Sequence, residues 1–472
     1  MRIVMFVLND ARTDSRVLRE AASLRAAGHE VTIMARSTDP AATENEHDVV
    51  DGVEVIRVPG PYAFQVYWAR IRYPWQLRHW WKLRAGDALR RAPLGLLEIV
   101  PLIGAALVLA PWVLIRLPFV LIARRRRSAV AVSTLDWVIR WRFNVLGWAK
   151  SAAKAAPIAD AWHGHDLTGL EAAGRAWQAH GGILVYDSHE IYIESGSIAT
   201  RPRWLKWFLS RSERRWTAHA AALVTVNRSL ADELGRRLKP RRTVVVHNAP
   251  ETWDPPIHWP DLIRGETGIP AGDPIALYHG GFSAHRGLEE LAAAIREPGL
   301  ERVHAVYMGY GSQKAMVEGL AADPRSGGRA HILAAVPPSE LGPWVASADV
   351  GVMAIQPSTL NHRLSTPNKL FESLAAGLPV VTSDFAEMRE IVLDDPLGPL
   401  GEVCRPDDPA DLARAIRAIL DRSAEEREAL RARCLAAAHA RWNWEAEVAG
   451  LLKLYEDVGR PTSTRAPEGG GG

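Results

Sequence analysis

The chain has 472 residues, a net charge of +3 and two cysteines. That length accommodates two domains with sizeable cores, and two cysteines exclude a disulfide framework and a cysteine-built metal centre, which fits a reducing cytosol. The charge is uneven, because residues 61–150 hold fifteen Lys and Arg against three Asp and Glu, together with eight of the eighteen tryptophans.

The opening "MRIVMFVLND" has too short an apolar run, and no small-residue cleavage site, for a signal peptide; it predicts a first β-strand. "SRVLREAASLRAAG" predicts a helix ending at Gly28, and "EVTIMA" and "GVEVIRVP" predict two more strands. This βαβ rhythm implies a parallel sheet covered by helices. Asn9, Asp10 and Arg16 stand where the first strand meets its helix.

Residues 61–157 interrupt the rhythm. "IVPLIGAALVLAPWVLI" (99–115) carries no charge, contains Pro101 and Pro111, and precedes "LPFVLIARRRR". It falls short of the about twenty apolar residues that a clean membrane span needs. A re-entrant or interfacial helical pair is therefore expected, with the tetra-arginine at 124–127 on anionic headgroups at the cytoplasmic side. "DWVIRWRFNVLGWAK" adds the Trp and Arg of an interfacial helix. A buried hydrophobic hairpin is the bland alternative, and single-stranded nucleic acid would leave the apolar run without a use.

The rhythm resumes with "AWHGHD", "ILVYDSHE", "ALVTVN" and "TVVVHN", four short buried strands with polar residues at their C-terminal ends. Open α/β sheets bind ligands at those ends, here marked by His163, His165, Asp166, His189 and Asn248. "APETWDPPIHWP" breaks the pattern and reads as an interdomain linker, 249–270. In the following run, "PIALYHGG" is a strand entering a glycine loop, "LEELAAAI" a helix and "VHAVYMGYG" a strand entering a second glycine loop. "HILAAV", "VGVMAI" and "PVVTSD" continue the strands. One long helix is expected from about 425 to 458, and the 459–472 tail reads as disordered.

Gly280 and Gly281 allow close backbone approach to a ligand, and Arg286 before the next helix suits a diphosphate. Gly309 and Gly311 form a similar loop. In "STPNKLFESLAAGLPVV" (365–381), Pro367 suits a first helical turn, Gly377 the left-handed C-terminal position, and Pro379 prevents continuation. The helix N-terminus, with Asn368 and Lys369, is thereby held in place and attracts anions. Glu372, in mid-helix, suits either a neighbouring base or a ligand.

The ordered set "HGGFSAHRG", "MGYG", "SADVGVMAI" and "PNKLFESLAAGLPVV" resembles the C-terminal domain of family 4 glycosyltransferases, retaining enzymes of the GT-B fold. "ND", "DSRVLREAASLRAAGHEVTIMAR", "HGHDL", "YDSHE", "VTVN" and "VVHNAP" extend the resemblance over nearly everything except 61–157 and the tail. It implies an α/β protein with two Rossmann-like domains facing a cleft: an acceptor-side domain, 1–248, with a hydrophobic helical insertion, and a nucleotide-sugar domain, 271–424, with 425–458 packing back on the first. It further implies that Glu372 hydrogen-bonds the donor ribose and Arg286 stabilises the leaving diphosphate. Gly280, Gly281, Gly309, Gly311, Asn368 and Lys369 then line the donor site, and His189 faces the donor sugar. Asn9, Asp10, Arg16, His165 and Asp166 lie on the acceptor side, although Arg16 equally suits a structural ion pair. The resemblance implies a UDP- or GDP-linked donor, no metal and no cofactor.

Two positions depart from the family pattern. Leu364 stands where an earlier glutamate is usual, and Gly281 where an arginine follows the glycine; "PNKLFE" matches a subgroup lacking that glutamate. The expectation is a glycosyltransferase on the cytoplasmic face of the cell membrane, acting on a lipid-linked or polysaccharide acceptor and not on nucleic acid. A nucleotide-sugar epimerase of the same fold and a non-catalytic partner subunit are the alternatives.

Overall fold

Strands that are apolar along their length must be covered on both faces, which favours a parallel layer between helices. The computed structural model describes residues 1–60 and 134–460, apart from positions 13, 40, 41, 43, 135, 136, 139, 257 and 260. Two such sheets form within them. The first comprises β1 (Arg2–Phe6), β2 (Glu30–Arg36), β3 (Glu46–Val50), β4 (Val53–Val58), β5 (Ala161–His165), β6 (Ile183–Ser188), β7 (Ala222–Thr225) and β8 (Thr243–Val245), in the order β3-β4-β2-β1-β5-β6-β7-β8. The second comprises β9 (Ile275–Gly281), β10 (His304–Tyr310), β11 (Ala330–Ala334), β12 (Val350–Met353), β13 (Val380–Ser383) and β14 (Gly401–Cys404), in the order β11-β10-β9-β12-β13-β14.

Every pair is parallel except β3–β4. Strand order reverses between β1 and β5, and again between β9 and β12, so each sheet opens a crevice at its carboxyl edge. Register places Met5 between Ile33 and His163 in the first sheet, and Gly280 opposite Gly309 in the second.

The structure adds one strand to those expected and divides one helix. Polar β3 has no apolar alternation; it forms because Arg57, itself buried, reaches Glu46 and Asp48 at 3.0 and 2.8 Å. The single helix expected over 425–458 is two, Ala424–Ala440 and Trp444–Gly459. Asn443 makes the break: its amide NH₂ donates to the Ala438 and His439 carbonyls, while its Oδ1 accepts from Ala446 N. The second helix then crosses to the N-terminal domain, where Trp444 donates to Ser23 Oγ at 2.9 Å and Leu451, Leu454 and Tyr455 are buried.

Residues 61–133 of the expected insertion lie outside the described residues. Its exit is not interfacial at two tryptophans, because Trp141 and Trp148 are buried in the N-terminal core and Trp137 stacks on Trp141 at 5.3 Å. Burial there satisfies the apolar ring bodies that sequence alone would have left to a bilayer. No helix among the described residues is long and apolar enough to cross a membrane.

The domains meet through directed polar contacts. Glu387, on helix Ala386–Leu393, accepts from the backbone N–H groups of Arg228 and Ser229 at the start of helix Arg228–Leu238. His247 lies between Glu387 and Glu447, at 3.7 and 3.0 Å. Burial alone would lower the His247 pKa, but the two carboxylates outweigh it and bring it to about 9. The stabilisation is complete below the unfolded histidine value near 6.5 and is lost as pH rises through about 9. Urea unfolding should therefore show a decline of roughly 3 kcal/mol across that window. Glu387→Gln should flatten the slope and cost about 3 kcal/mol at neutral pH.

Candidate active site

At the carboxyl edge of the second sheet, β9 runs into Gly280, whose φ of +102° strongly favours glycine. A Cβ on Gly309 would overlap the Gly280 carbonyl, and one on Gly311 would overlap that of Phe282. The two glycine loops are thus pressed together, so Gly309 and Gly311 are required by packing between strands as well as by any approach to a ligand. Gly281 faces open space, with nothing within 4 Å of a built Cβ. The arginine expected there from the resemblance would have room.

Beyond that loop, Tyr278, Gly281, Ser283, Arg286, Met353, Ile355 and Lys369 line a cleft. Arg286 is half-buried and has no hydrogen bond or ion pair among the described residues. Lys369 Nζ lies 3.4 Å from the centroid of the Tyr278 ring. Desolvation, followed by repulsion from Arg286, holds the Lys369 pKa well below the usual lysine range, with Glu372 opposing. Two basic groups thus converge on one space, and an anion between them would favour the charged form of Lys369 and pair with Arg286.

Helix Asn368–Ala375 starts one residue later than expected, with Pro367 as its N-cap and no side chain on its first amides. That end carries the positive pole of the helix dipole, and Asn368 is exposed there. Glu372 Oε2 is 3.0 Å from His279 Nε2, a buried residue of β9. The histidine immediately before the glycines of "YHGG" is the sequence signal for this partner. It holds one carboxylate oxygen and leaves the other for a ligand. Leu364, in place of a glutamate, packs with Leu360 against the N-terminal core, while its carbonyl accepts from Asn227 Nδ2 at 2.7 Å.

The opposing wall is built around Arg16. It is buried and does not face an acceptor: it reaches Asp187 at 3.2 Å, Glu20 at 2.9 Å and the Val246 carbonyl at 2.8 Å. His165 is also buried, 3.4 Å from both Asp187 and His189, so it supports the cleft wall without reaching the surface. His163 hydrogen-bonds the Tyr455 hydroxyl at 2.8 Å. His189 is partly exposed beside Asp166. Burial would lower its pKa, yet Asp166 and Asp187 raise it to about 9, making it an imidazolium at neutral pH.

Asp166, at the left-handed φ of +52°, accepts the His189 backbone N–H at 3.1 Å. Asn9 and Asp10 are occupied locally, Asn9 with Ala11 N and Asp14 and Asp10 with Arg12 N. Both lie on the turn after β1, at the mouth of the crevice. Asn248 is turned to Arg19. Glu190, the last residue of "YDSHE", lies beside His189. Burial and then Asp166 raise its pKa to about 7, while Arg286 opposes from the other domain. Glu20, His163, His165 and Asp187 present ligand-type atoms within 4.8 Å of one another. Arg16 already brings positive charge to both carboxylates of that group.

Arg286, Lys369 and Glu372 therefore converge on one wall, with His189 and Asp166 opposite. The walls are joined by Asn361, whose Oδ1 accepts from Ile191 N at 2.8 Å and whose Nδ2 donates to Ile191 O at 3.1 Å.

The fold that presents this site is that of GT-B glycosyltransferases. Sucrose-phosphate synthase from Thermosynechococcus elongatus is similar with a TM-score of 0.65 at 16% identity, over 97% of this chain and 99% of that one. HepE from Anabaena, solved with UDP-glucose, is similar with a TM-score of 0.59 at 14% identity, over 97% and 99%. Residues 273–422, which contain Arg286, Lys369 and Glu372, match the family model "Glycosyl transferases group 1". The glycogen synthase of Mycobacterium tuberculosis is 25% identical over 429 residues, spanning 87% of this chain and 82% of that protein.

Lys369→Met removes the desolvated ammonium while keeping the stem. The unliganded protein should become more stable, by about 1 kcal/mol in denaturant unfolding, while added pyrophosphate should raise its melting temperature less than it does for wild type.

Proposed function

We propose that the chain is a retaining glycosyltransferase that moves a sugar from a nucleoside-diphosphate donor to a lipid-linked or polysaccharide acceptor. It would act at the cytoplasmic face of a membrane, with neither metal nor cofactor. The unpaired Arg286 beside the desolvated Lys369 is the observation that carries the reading. As the bond from the sugar C1 to the diphosphate oxygen breaks, negative charge grows on that oxygen, and fixed cations favour the transition state over the ground state. The acceptor hydroxyl oxygen forms the new bond to C1, and its proton passes to the departing phosphate.

His189, as an imidazolium, donates to a donor-sugar hydroxyl from the opposite wall. Glu372, steadied by His279, accepts from the ribose diol. Retention and metal independence rest on the resemblance to family 4 enzymes, and the membrane acceptor on the basic, Trp-rich composition of residues 61–150. UDP-glucose is the first donor to test, since it is named in the HepE complex.

UDP at about 100 times its dissociation constant should stabilise the protein by roughly 2.7 kcal/mol, and Glu372→Ala or Arg286→Ala should abolish the shift at that concentration. Sugar transfer should survive EDTA. His189→Ala should lower kcat by about 10²–10³-fold, and wild-type turnover should decline as pH rises through about 9. Donor epimerisation without an acceptor, or no turnover of any nucleotide-sugar by folded protein, would overturn the assignment.

A further inference from the structure

Helix Arg203–Thr217, "RWLKWFLSRSERRWT", has its apolar residues on two sides. Leu205, Leu209 and Trp216 pack inward, and Glu213, the helix's one carboxylate, turns inward to the Tyr186 hydroxyl at 2.6 Å. The outward side carries Trp204, Trp207 and Phe208, which are 58, 60 and 52% exposed. Arg203, Arg211, Arg214 and Arg215 are exposed on the same helix. Fifteen residues extend roughly 22 Å, with the three exposed aromatic residues in the N-terminal half and three of the four arginines in the C-terminal half. Among the described residues, the domain core does not cover these three aromatic rings.

We propose that this outward face is the surface by which the N-terminal domain lies on an anionic lipid bilayer. Aromatic rings with a polar edge settle at the headgroup level, and guanidinium groups beside them pair with lipid phosphates. With its sole carboxylate turned inward, the outward face presents positive charge alone to such a surface. Phe143, 46% exposed, lies on the turn Trp141–Val145, and Trp141 lines one cavity together with Phe208 and Arg215. The face is therefore continuous with the chain that returns from the basic segment.

It also borders the cleft. Lys206 pairs with Glu194 at 3.4 Å on the loop that follows His189, and Ile191 of that loop is bonded to Asn361 of the other domain. An acceptor held in the bilayer would thus meet the cleft beside His189. The inference rests on the membrane reading above and names the surface that serves it.

The test uses the full chain in flotation with phosphatidylcholine vesicles, with and without phosphatidylglycerol. Binding is expected only with phosphatidylglycerol, and it should weaken with added salt. The triple variants Trp204→Ser/Trp207→Ser/Phe208→Ser and Arg203→Ser/Arg211→Ser/Arg214→Ser should each lower partitioning, on the order of tenfold. Both should keep the UDP thermal shift, which separates loss of this face from failure of the donor site. Cys404 and Cys434 are buried, so Phe208→Cys accepts a single environment-sensitive fluorophore, whose emission should move to the blue on anionic vesicles. Undiminished flotation of both triple variants would overturn the proposal, as would a fluorophore that stays in water while the protein floats. Capture of single-stranded DNA by this face, without flotation, would also overturn it.

Discussion

Burying Arg16 removes a guanidinium from water, and that cost is offset only because Asp187, Glu20 and the Val246 carbonyl meet it inside the fold. The contact joins the first helix, β6 and the chain beyond β8, three elements distant in sequence. Its consequences reach the cleft. Asp187 stays ionised well below the usual carboxylate range, since Arg16 and then His189 outweigh the effect of burial. His165, by contrast, is pushed down to about 4, chiefly by desolvation, and stays neutral. The ionised Asp187 is in turn one of the two carboxylates that keep His189 charged. Tyr455, from the last helix of the chain, closes the network at His163.

The two walls of the cleft are electrostatically unlike. On the N-terminal side, positive charges are matched by carboxylates and the strain of Asp166 is held by its contacts to His189. On the C-terminal side, Arg286 is unpaired and Lys369 is desolvated, so positive charge is left uncompensated. That imbalance destabilises the free protein and favours an anionic ligand. Preorganised, poorly solvated charge of this kind acts most strongly on charge that develops during reaction. The Glu387 contacts fix the distance between the walls, because a carboxylate of one domain caps a helix of the other.

The tryptophan-rich segment divides into two physical situations. Where the chain returns at Trp141 and Trp148, aromatic rings fill the N-terminal core and fold stability accounts for them. On helix Arg203–Thr217 the same residue types face outward, and among the described residues the core does not cover them. Composition cannot distinguish these cases, since both consist of Trp and Arg in a helix. Burial can.

The sequence by itself determined the alternation of strand and helix, the parallel class of both sheets and the placing of Gly280 and of the helix bounded by Pro367 and Gly377 at strand ends, while the grouping of Gly280, Arg286, Lys369 and Glu372 in one site was implied by the family resemblance. The first three follow from local rules: apolar runs of strand length, glycine where φ is positive, and proline or glycine at a helix end. Only the tertiary structure decided which polar residues reach the cleft. Arg16 and His165 look like ligand-facing residues in their motifs but are both enclosed against Asp187, a residue of another element, whereas His279 and Glu190 gain significance from residues in other elements. The split of the last helix at Asn443 and the polar edge strand β3 were equally invisible, because both depend on side-chain hydrogen bonds whose value appears only once the distant surfaces are in place.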